Sequence, residues 1–389
     1  MSSPSAQPLH IVHTESSLGW GGQELRILAE ARGMLDRGHR VTLIAPVAAR
    51  IFAEASRYRV PVTALPIGRK RLGGVGALRD WLTAHPADVV NTHSSTDSWL
   101  AALAWASLRR SPPIVRTRHI SAPVPDNIAS RWLYRNASRY VVTTGESLRE
   151  QLIARLGLDA SRVLSIPTGI DTQVFRPPTA RERKAARAAV GVADGAFVVG
   201  IVATLRSWKG HRYLIEGFAL ALVRAGGVRP TMHLVIVGDG PQREALEAIV
   251  DSLGIRTHVR FAGNQSNVVP WLHALDLFAL PSYANEGVPQ AILQAMACRV
   301  PVITTDAGAI GEVAYASNGD DDTAMIVGKE DADGLCDAIL ALQADPARRE
   351  RLAVNALAIV RARHGIEGML DRMEGVFRDA AGRDTQENS

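Results

Sequence analysis

With 389 residues, 47% hydrophobic and 21% charged, the chain has a globular composition and is too long for one ordinary core, so two domains are expected. Aromatic residues make up only 5%, which offers no base-stacking platform for nucleic acid, and no apolar run approaches the roughly 18 residues that cross a bilayer. The charge is uneven: residues 1–171 hold 21 Lys/Arg against 13 Asp/Glu, net +8, and because the whole chain holds 44 and 39, the remainder holds 23 against 26, net −3. A basic first half fits an anionic lipid surface, a phosphorylated acceptor or nucleic acid, or else an Arg-rich solvated surface; Arg69-Lys70-Arg71 is its densest cluster.

The opening MSSPSAQP lacks the regions of a signal peptide and reads as a short disordered lead-in. Leu9–His13 reads as a strand, Thr14–Gly22 as a Gly/Ser loop, and Gln23–Arg37 as a helix stopped by Gly38. Further strands are expected at Val41–Ala45, Val60–Leu65, Val89–Thr92, Ile114–Arg118, Tyr140–Thr143 and Val163–Ile166. This alternation of strand, loop and helix implies a parallel sheet with helices on both faces. Pro167–Pro178 breaks the pattern, and a polar helix follows over Arg181–Val190, so a domain boundary is expected there: domains 1–172 and 173–364. The winding then restarts, with strands at Val198–Val202, Leu234–Val237, Val259–Phe261, Leu277–Leu280, Val302–Thr304 and Ala324–Val327. Gly365–Ala381 reads as a helix with an apolar stripe of Met369, Met373, Val376 and Phe377, and Asp384–Ser389 as a disordered tail.

The chemistry concentrates at strand ends. In Leu280–Thr305, LPSYANEGVPQAILQAMACRVPVITT, a strand ends, a polar loop follows and a helix starts near Pro289. The N–H groups around Glu286, Gly287, Val288 and Gln290 are placed to meet an anion, with the helix dipole in support, and Glu286 to accept hydrogen bonds from sugar hydroxyls. Gln294 lies about two turns on. Gly200–Gly210, GIVATLRSWKG, carries Arg206 and Lys209 beyond a strand, where two cations suit a diphosphate. Gly238 lies in a glycine turn of Leu234–Leu246, Gly263 in Val259–Ser282, and Glu312, a helix cap or a ligand contact, in Thr304–Val313.

In this order and spacing, Gly200–Val327 resembles the nucleotide-sugar-binding half of the glycosyltransferase family 4 enzymes. The resemblance implies an α/β GT-B fold, two Rossmann-like doubly wound domains facing across a cleft, with the acceptor on the first and the donor on the second. It implies that the last helix crosses back to the first domain. In that family two Glu residues mark the donor site, the first on the transferred sugar and the second on the ribose. Glu286 matches the first, but Gln294 stands in the second place; it can exchange a hydrogen bond with a ribose hydroxyl but supplies no charge. Lys209-Gly210 matches directly, whereas Thr204 stands where the family has Arg, and Arg206 is the candidate to take over. Ser16–Glu24, SSLGWGGQE, resembles the first glycine loop, with Gly21 and Gly22 near the donor phosphates and Trp20 as an apolar plug or a contact. His119, in TRHISAP, matches a His that touches the donor sugar. Arg116 and Arg118 either bind phosphate or face solvent, His93 and Asp97 are candidate acceptor contacts, and Glu146 or Ser147 a helix cap.

The expected activity is transfer of a sugar from a UDP- or GDP-type donor to an acceptor hydroxyl, with His119, Glu286, Arg206 and Lys209 as the catalytic set. Retention through front-side attack is implied by the resemblance. No metal or cofactor is expected, and Asp320-Asp321-Asp322 reads as a solvated turn. Cys298 and Cys336 lack metal-ligand spacing, which suits a cytoplasmic compartment, with peripheral membrane association and a glycan or lipid-linked acceptor such as lipopolysaccharide. A non-catalytic nucleotide-sugar-binding subunit, an epimerase and a phosphorylase are the alternatives. A nicotinamide dehydrogenase is disfavoured, because no GxGxxG follows the first strand.

Overall fold

The computed structural model describes residues 7–193, 195–226, 231–284, 286–315 and 322–383. The expected lead-in and tail, and Asn285, Asp320 and Asp321, fall largely or wholly outside them. The chain forms two compact units, one of Met1–Gly169 with Glu367–Ser389 and the other of Ile170–Ile366.

Unit 1 holds a parallel sheet of seven strands: β1 (His10–Thr14), β2 (Arg40–Ala45), β3 (Val62–Ala64), β4 (Val89–Thr92), β5 (Ile114–Arg118), β6 (Tyr140–Thr143) and β7 (Val163–Ser165). Their order is β3-β2-β1-β4-β5-β6-β7. β1 is central and paired on both sides, His13 with Leu43 of β2 and with Asn91 of β4. Helices cover such a sheet on both faces, so its strands are short apolar runs. β1 departs from that rule by carrying His10 and His13, both buried.

The helix Ile366–Ala380 belongs to unit 1. Met369, Leu370, Met373, Val376 and Phe377 are buried along one face. Arg37 forms ion pairs with Glu367, Asp371 and Glu374 on its other side. The approach is close at Gly33, where an added Cβ would lie 2.4 Å from Leu370 Cδ1.

Unit 2 repeats the winding with six parallel strands: β8 (Phe197–Val202), β9 (Met232–Val237), β10 (Val259–Gly263), β11 (Leu277–Leu280), β12 (Val302–Thr304) and β13 (Met325–Ile326). Their order is β10-β9-β8-β11-β12-β13. In each sheet the order reverses once, between β1 and β4 and between β8 and β11. Connections leave the sheet in opposite directions at that point, which opens a crevice at the strands' carboxyl ends where ligands bind. The expected strands therefore form two doubly wound sheets, and Ile114–Arg118, Tyr140–Thr143, Leu277–Leu280 and Val302–Thr304 have the bounds expected of them.

Candidate functional site

Each unit carries a cluster of polar side chains at its reversal point. In unit 2 the cluster is charged. Beyond β8 the chain makes a single turn over Ser207–Lys209, and Gly210 follows with φ +75°. A Cβ on Gly210 would sit 2.0 Å from the Pro281 carbonyl oxygen, so the loop after β8 can lie against the loop after β11 only with glycine there. The Tyr283 N–H donates to the Trp208 carbonyl at 2.9 Å and ties the two loops together.

This brings Lys209 Nζ within 2.5 Å of Glu286 Oε1, and Ser282 Oγ donates to the same oxygen at 2.7 Å. Glu286 is buried. Its main chain is fixed from the other side by Gly308, at φ +61°, where a Cβ would meet the Glu286 carbonyl oxygen at 2.0 Å. Sequence reasoning gave Lys209 to a phosphate and Glu286 to a sugar. The structure joins them as an ion pair, which spacing alone could not reveal because 77 residues separate them.

The remaining expected residues of unit 2 lie at strand ends, in the loops beyond them and on the helix that follows β11. Gly238 N–H donates to the Gly263 carbonyl at 2.8 Å, joining the ends of β9 and β10. Arg206 is exposed, its guanidinium 5.7 Å from the Trp208 ring centroid. The helix runs Gln290–Ala297, one residue after the expected start, and Pro289 is its N-cap, in extended conformation at ψ 126°. Pro289 has no N–H, so the donors available to an anion there are those of its neighbours. Gly287 and Val288 link Glu286 to this helix, and Val288 is buried. Gln290 Oε1 is buried without a hydrogen-bond partner among the described residues. Gln294, one turn on, is buried too.

In unit 1 the cluster is a row of neutral rings. His13 near the end of β1, His93 just past β4 and His119 just past β5 stand on three adjacent strands. His13 Nδ1 lies 3.0 Å from His93 Nε2, and His93 Nδ1 lies 3.0 Å from His119 Nε2. Burial pushes His13 down to about 3 and holds His93 and His119 well below the usual imidazole range, with Arg26 and Arg116 nearby adding to the effect on the last two. His93 was singled out in the sequence; His13 was not.

Beside the rings lies the loop after β1. Asp97, read in the sequence as an acceptor contact, is fully buried and accepts from Thr14 Oγ1, Ser16 Oγ and the N–H groups of His93 and Ser94. It closes a capping box with Ser94 at the start of helix Ser95–Ser107, so its oxygens are committed to the fold. Glu15 accepts from the Ser17 N–H at 2.6 Å and from Gln23 and Ser94. Burial pushes its carboxyl up to about 8, and the nearby Asp97 and Glu24 carboxyls add to the shift. Gly21 is the N-cap of helix Gly22–Asp36, with extended backbone at φ −178°, a geometry any residue adopts. Trp20 lies beneath Arg50, whose guanidinium carbon is 5.2 Å from the ring centroid. Arg116 does not face solvent: it is buried, donates to the Ser94 carbonyl and stacks 5.0 Å over Tyr134. Arg118 donates to Tyr134 Oη and to the Ile120 and Ala122 carbonyls, which holds the loop after His119.

Among the described residues, no group of three or more His, Cys, Asp or Glu is arranged to hold a metal ion. No helix described is long and apolar enough to cross a membrane.

Comparison with known proteins bears on the family and the fold. A family model described as Glycosyltransferase Family 4 matches residues 20–174, and one described as Glycosyl transferases group 1 matches residues 196–345. The D-inositol 3-phosphate glycosyltransferase of Mycolicibacterium paratuberculosis is 27% identical over 97% of this chain and 88% of its own. The protein of the same description from Nocardia farcinica is 31% identical over 73% of this chain and 65% of its own. Among solved structures, Anabaena HepE in complex with UDP and glucose superposes with a TM-score of 0.82 at 22% identity, over 95% of this chain and 100% of its own.

Proposed function

We propose that this chain, which belongs to the family 4 glycosyltransferases of GT-B fold, moves a sugar from a UDP-type donor to a hydroxyl of an anionic acceptor in the assembly of cell-surface glycans. The observation that carries the reading is the Lys209–Glu286 pair, set where β8 and β11 part. An ion pair largely removed from water is costly to keep for stability alone. It is well suited to exchange partners. When a diphosphate arrives, Lys209 turns from Glu286 to the phosphate, and Glu286 is freed to accept hydrogen bonds from sugar hydroxyls. Arg206 and the N–H groups at the head of helix Gln290–Ala297 add fixed positive character where the leaving group gains charge. His119 binds the transferred sugar, as the family resemblance implies. The sugar is transferred with retention, the leaving phosphate oxygen taking the acceptor's proton, and neither metal nor cofactor takes part.

UDP as the carrier is supported by HepE, which was crystallised with UDP and glucose. An anionic acceptor is supported by two relatives described as acting on D-inositol 3-phosphate and by the net +8 of residues 1–171. A lipopolysaccharide or other lipid-linked acceptor is the membrane-bound form of the same reading. It draws on Arg69, Lys70 and Arg71, all exposed beside an 86% exposed Leu72, as a patch for an anionic membrane.

The test has two parts. Thermal-shift screening against UDP, GDP and ADP is expected to give stabilisation by UDP alone, by about 2.7 kcal/mol at a hundred times its Kd. The stabilised pair is then offered D-inositol 3-phosphate and phosphate-free inositol with UDP-sugars. Transfer to the phosphorylated acceptor supports the reading; stabilisation by ADP or GDP instead, or transfer without regard to phosphate, contradicts it.

A further inference from the structure

The row His13–His93–His119 has a property that none of its members has alone. Each of its two hydrogen bonds joins an Nδ1 to an Nε2. A neutral imidazole carries one proton, so one nitrogen donates and the other accepts. If His13 carries its proton on Nδ1, it donates to His93 Nε2. His93 must then carry its own proton on Nδ1 and donate to His119 Nε2, which leaves the His119 proton on Nδ1. If His13 carries its proton on Nε2, the same logic runs in reverse. The three rings therefore share one tautomer.

The inner end of the row is closed. His13 is fully buried, its Nε2 has no hydrogen-bond partner among the described residues, and its ring meets Phe377 edge to face, with centroids 6.2 Å apart. Turning the row from one tautomer to the other would require a proton to enter or leave at His13 Nε2, where no group among the described residues stands to supply or take it. The outer end differs: His119 is half-buried, whereas His13 and His93 are buried. The cations Arg26, Arg116 and Arg118 oppose protonation of His119, while the acids near the row are Asp97, which accepts from the His93 N–H, and Glu30, which pairs with Arg26.

We propose that His93 and His13 are positioning residues that hold His119 in a single tautomer, so that it meets the substrate as a fixed hydrogen-bond partner and not as a proton shuttle. The inference rests on the reading of His119 as a sugar-binding residue, but its first test does not. In the full chain labelled with ¹⁵N-histidine, long-range proton–nitrogen spectra assign each ring nitrogen as protonated or bare, with single substitutions identifying the rings. The expected result is one tautomer, on the same-named nitrogen, for all three. Opposite tautomers in any two of them, or averaged shifts at His119, would overturn the proposal, and this holds even where a variant fails to fold.

The second test uses His13→Leu, which cuts the row, and His13→Asn, whose amide stands near the position of Nδ1 and can donate or accept. His13→Leu is expected to leave His119 in mixed tautomers and to lower kcat about tenfold with donor KM changed less than twofold, about the effect of one misplaced hydrogen bond. His13→Asn is expected to recover most of the loss. Unchanged His119 shifts in folded His13→Leu would sink the relay. If His119→Ala retained full transfer while the spectra stood as expected, the reading of His119 would fail and the tautomer lock would not.

Discussion

The two units carry clusters of opposite electrostatic design at the reversal points of the same topology. At the reversal point of unit 2 stands a charged pair, Lys209 and Glu286, held by Ser282 and by glycines that let two loops touch. At that of unit 1 stands a row of neutral histidines beside carboxyls that burial pushes upward. The difference follows from what each cluster can exchange. A diphosphate can replace Glu286 as the partner of Lys209, and sugar hydroxyls can then donate to the carboxylate that Lys209 leaves. The histidine row is neutral at neutral pH and gives direction without net charge.

The sharpest way to break this comparison is to remove one charge of unit 2. Lys209→Ala leaves Glu286 a buried carboxylate without its cation and strips the leaving group of its nearest charge. The expected loss in kcat is about 100- to 1000-fold, the scale for one preorganised electrostatic group. Glu286→Ala is expected to fall in the same range, measured as release of nucleotide diphosphate with acceptor present. If either variant kept more than a tenth of the wild-type rate, the exchange of partners would be the wrong description of unit 2.

Unit 1 is expected to respond to pH instead. The Glu15 carboxyl has an ordinary value of 4.5 and stands at about 8 when folded. Between those values the folded chain holds a proton that the unfolded chain has lost, so this group's contribution to stability falls as pH rises through that window and is fully lost above it. His13 has the opposite sign. Its value drops from 6.5 to about 3, so the unfolded chain binds the extra proton and stability is lost as pH falls through 6.5 towards 3. Between 4.5 and 6.5 the two slopes oppose and cancel, so the combined contribution of these two groups is highest and level across that range. Glu15→Gln is expected to raise the melting temperature by several degrees at pH 9 and to leave it nearly unchanged at pH 4, followed by circular dichroism. Equal shifts at both pH values would show that the carboxyl is not protonated in the fold.

The smallest effect expected is at Gln294. Restoring the carboxylate with Gln294→Glu offers a ribose hydroxyl a charge-assisted bond, roughly twice as strong as a neutral one. Donor KM is expected to fall about fivefold, with kcat little changed, in initial-rate kinetics. An increase in KM would mean that the buried site rejects a second negative charge next to Glu286.

The sequence made the strands legible because parallel strands buried on both faces are short apolar runs with polar loops at their ends. Where that pattern is pure, as in Leu277–Leu280 and Val302–Thr304, the limits agree to the residue. At sheet edges it frays: Val60–Leu65 pairs only over Val62–Ala64. A motif names Glu286 and Lys209 as candidates, but their contact with each other was hidden, as is any role that lies in a partner. The Lys209–Glu286 contact spans two strands and needs the fold to exist. His13 left a trace, since a histidine inside a short central strand has to find a partner, but nothing in its neighbourhood of sequence names His93. Asp97 carried a signal that pointed away from the ligand: Ser94 followed by an acid three residues later is a capping box. Glu15 left none, because its shift arises from burial and from carboxyls that the loop gathers around it.

The most direct measurement is calorimetric titration of UDP into the wild-type chain and into Lys209→Ala at the same pH and salt. The expected result is saturable binding to the wild type and a Kd at least tenfold weaker in the variant, with salt weakening the wild type more than the variant. Equal affinity in the two chains, or no binding of UDP to either, would contradict the assignment of the Lys209–Glu286 pair as the donor diphosphate site.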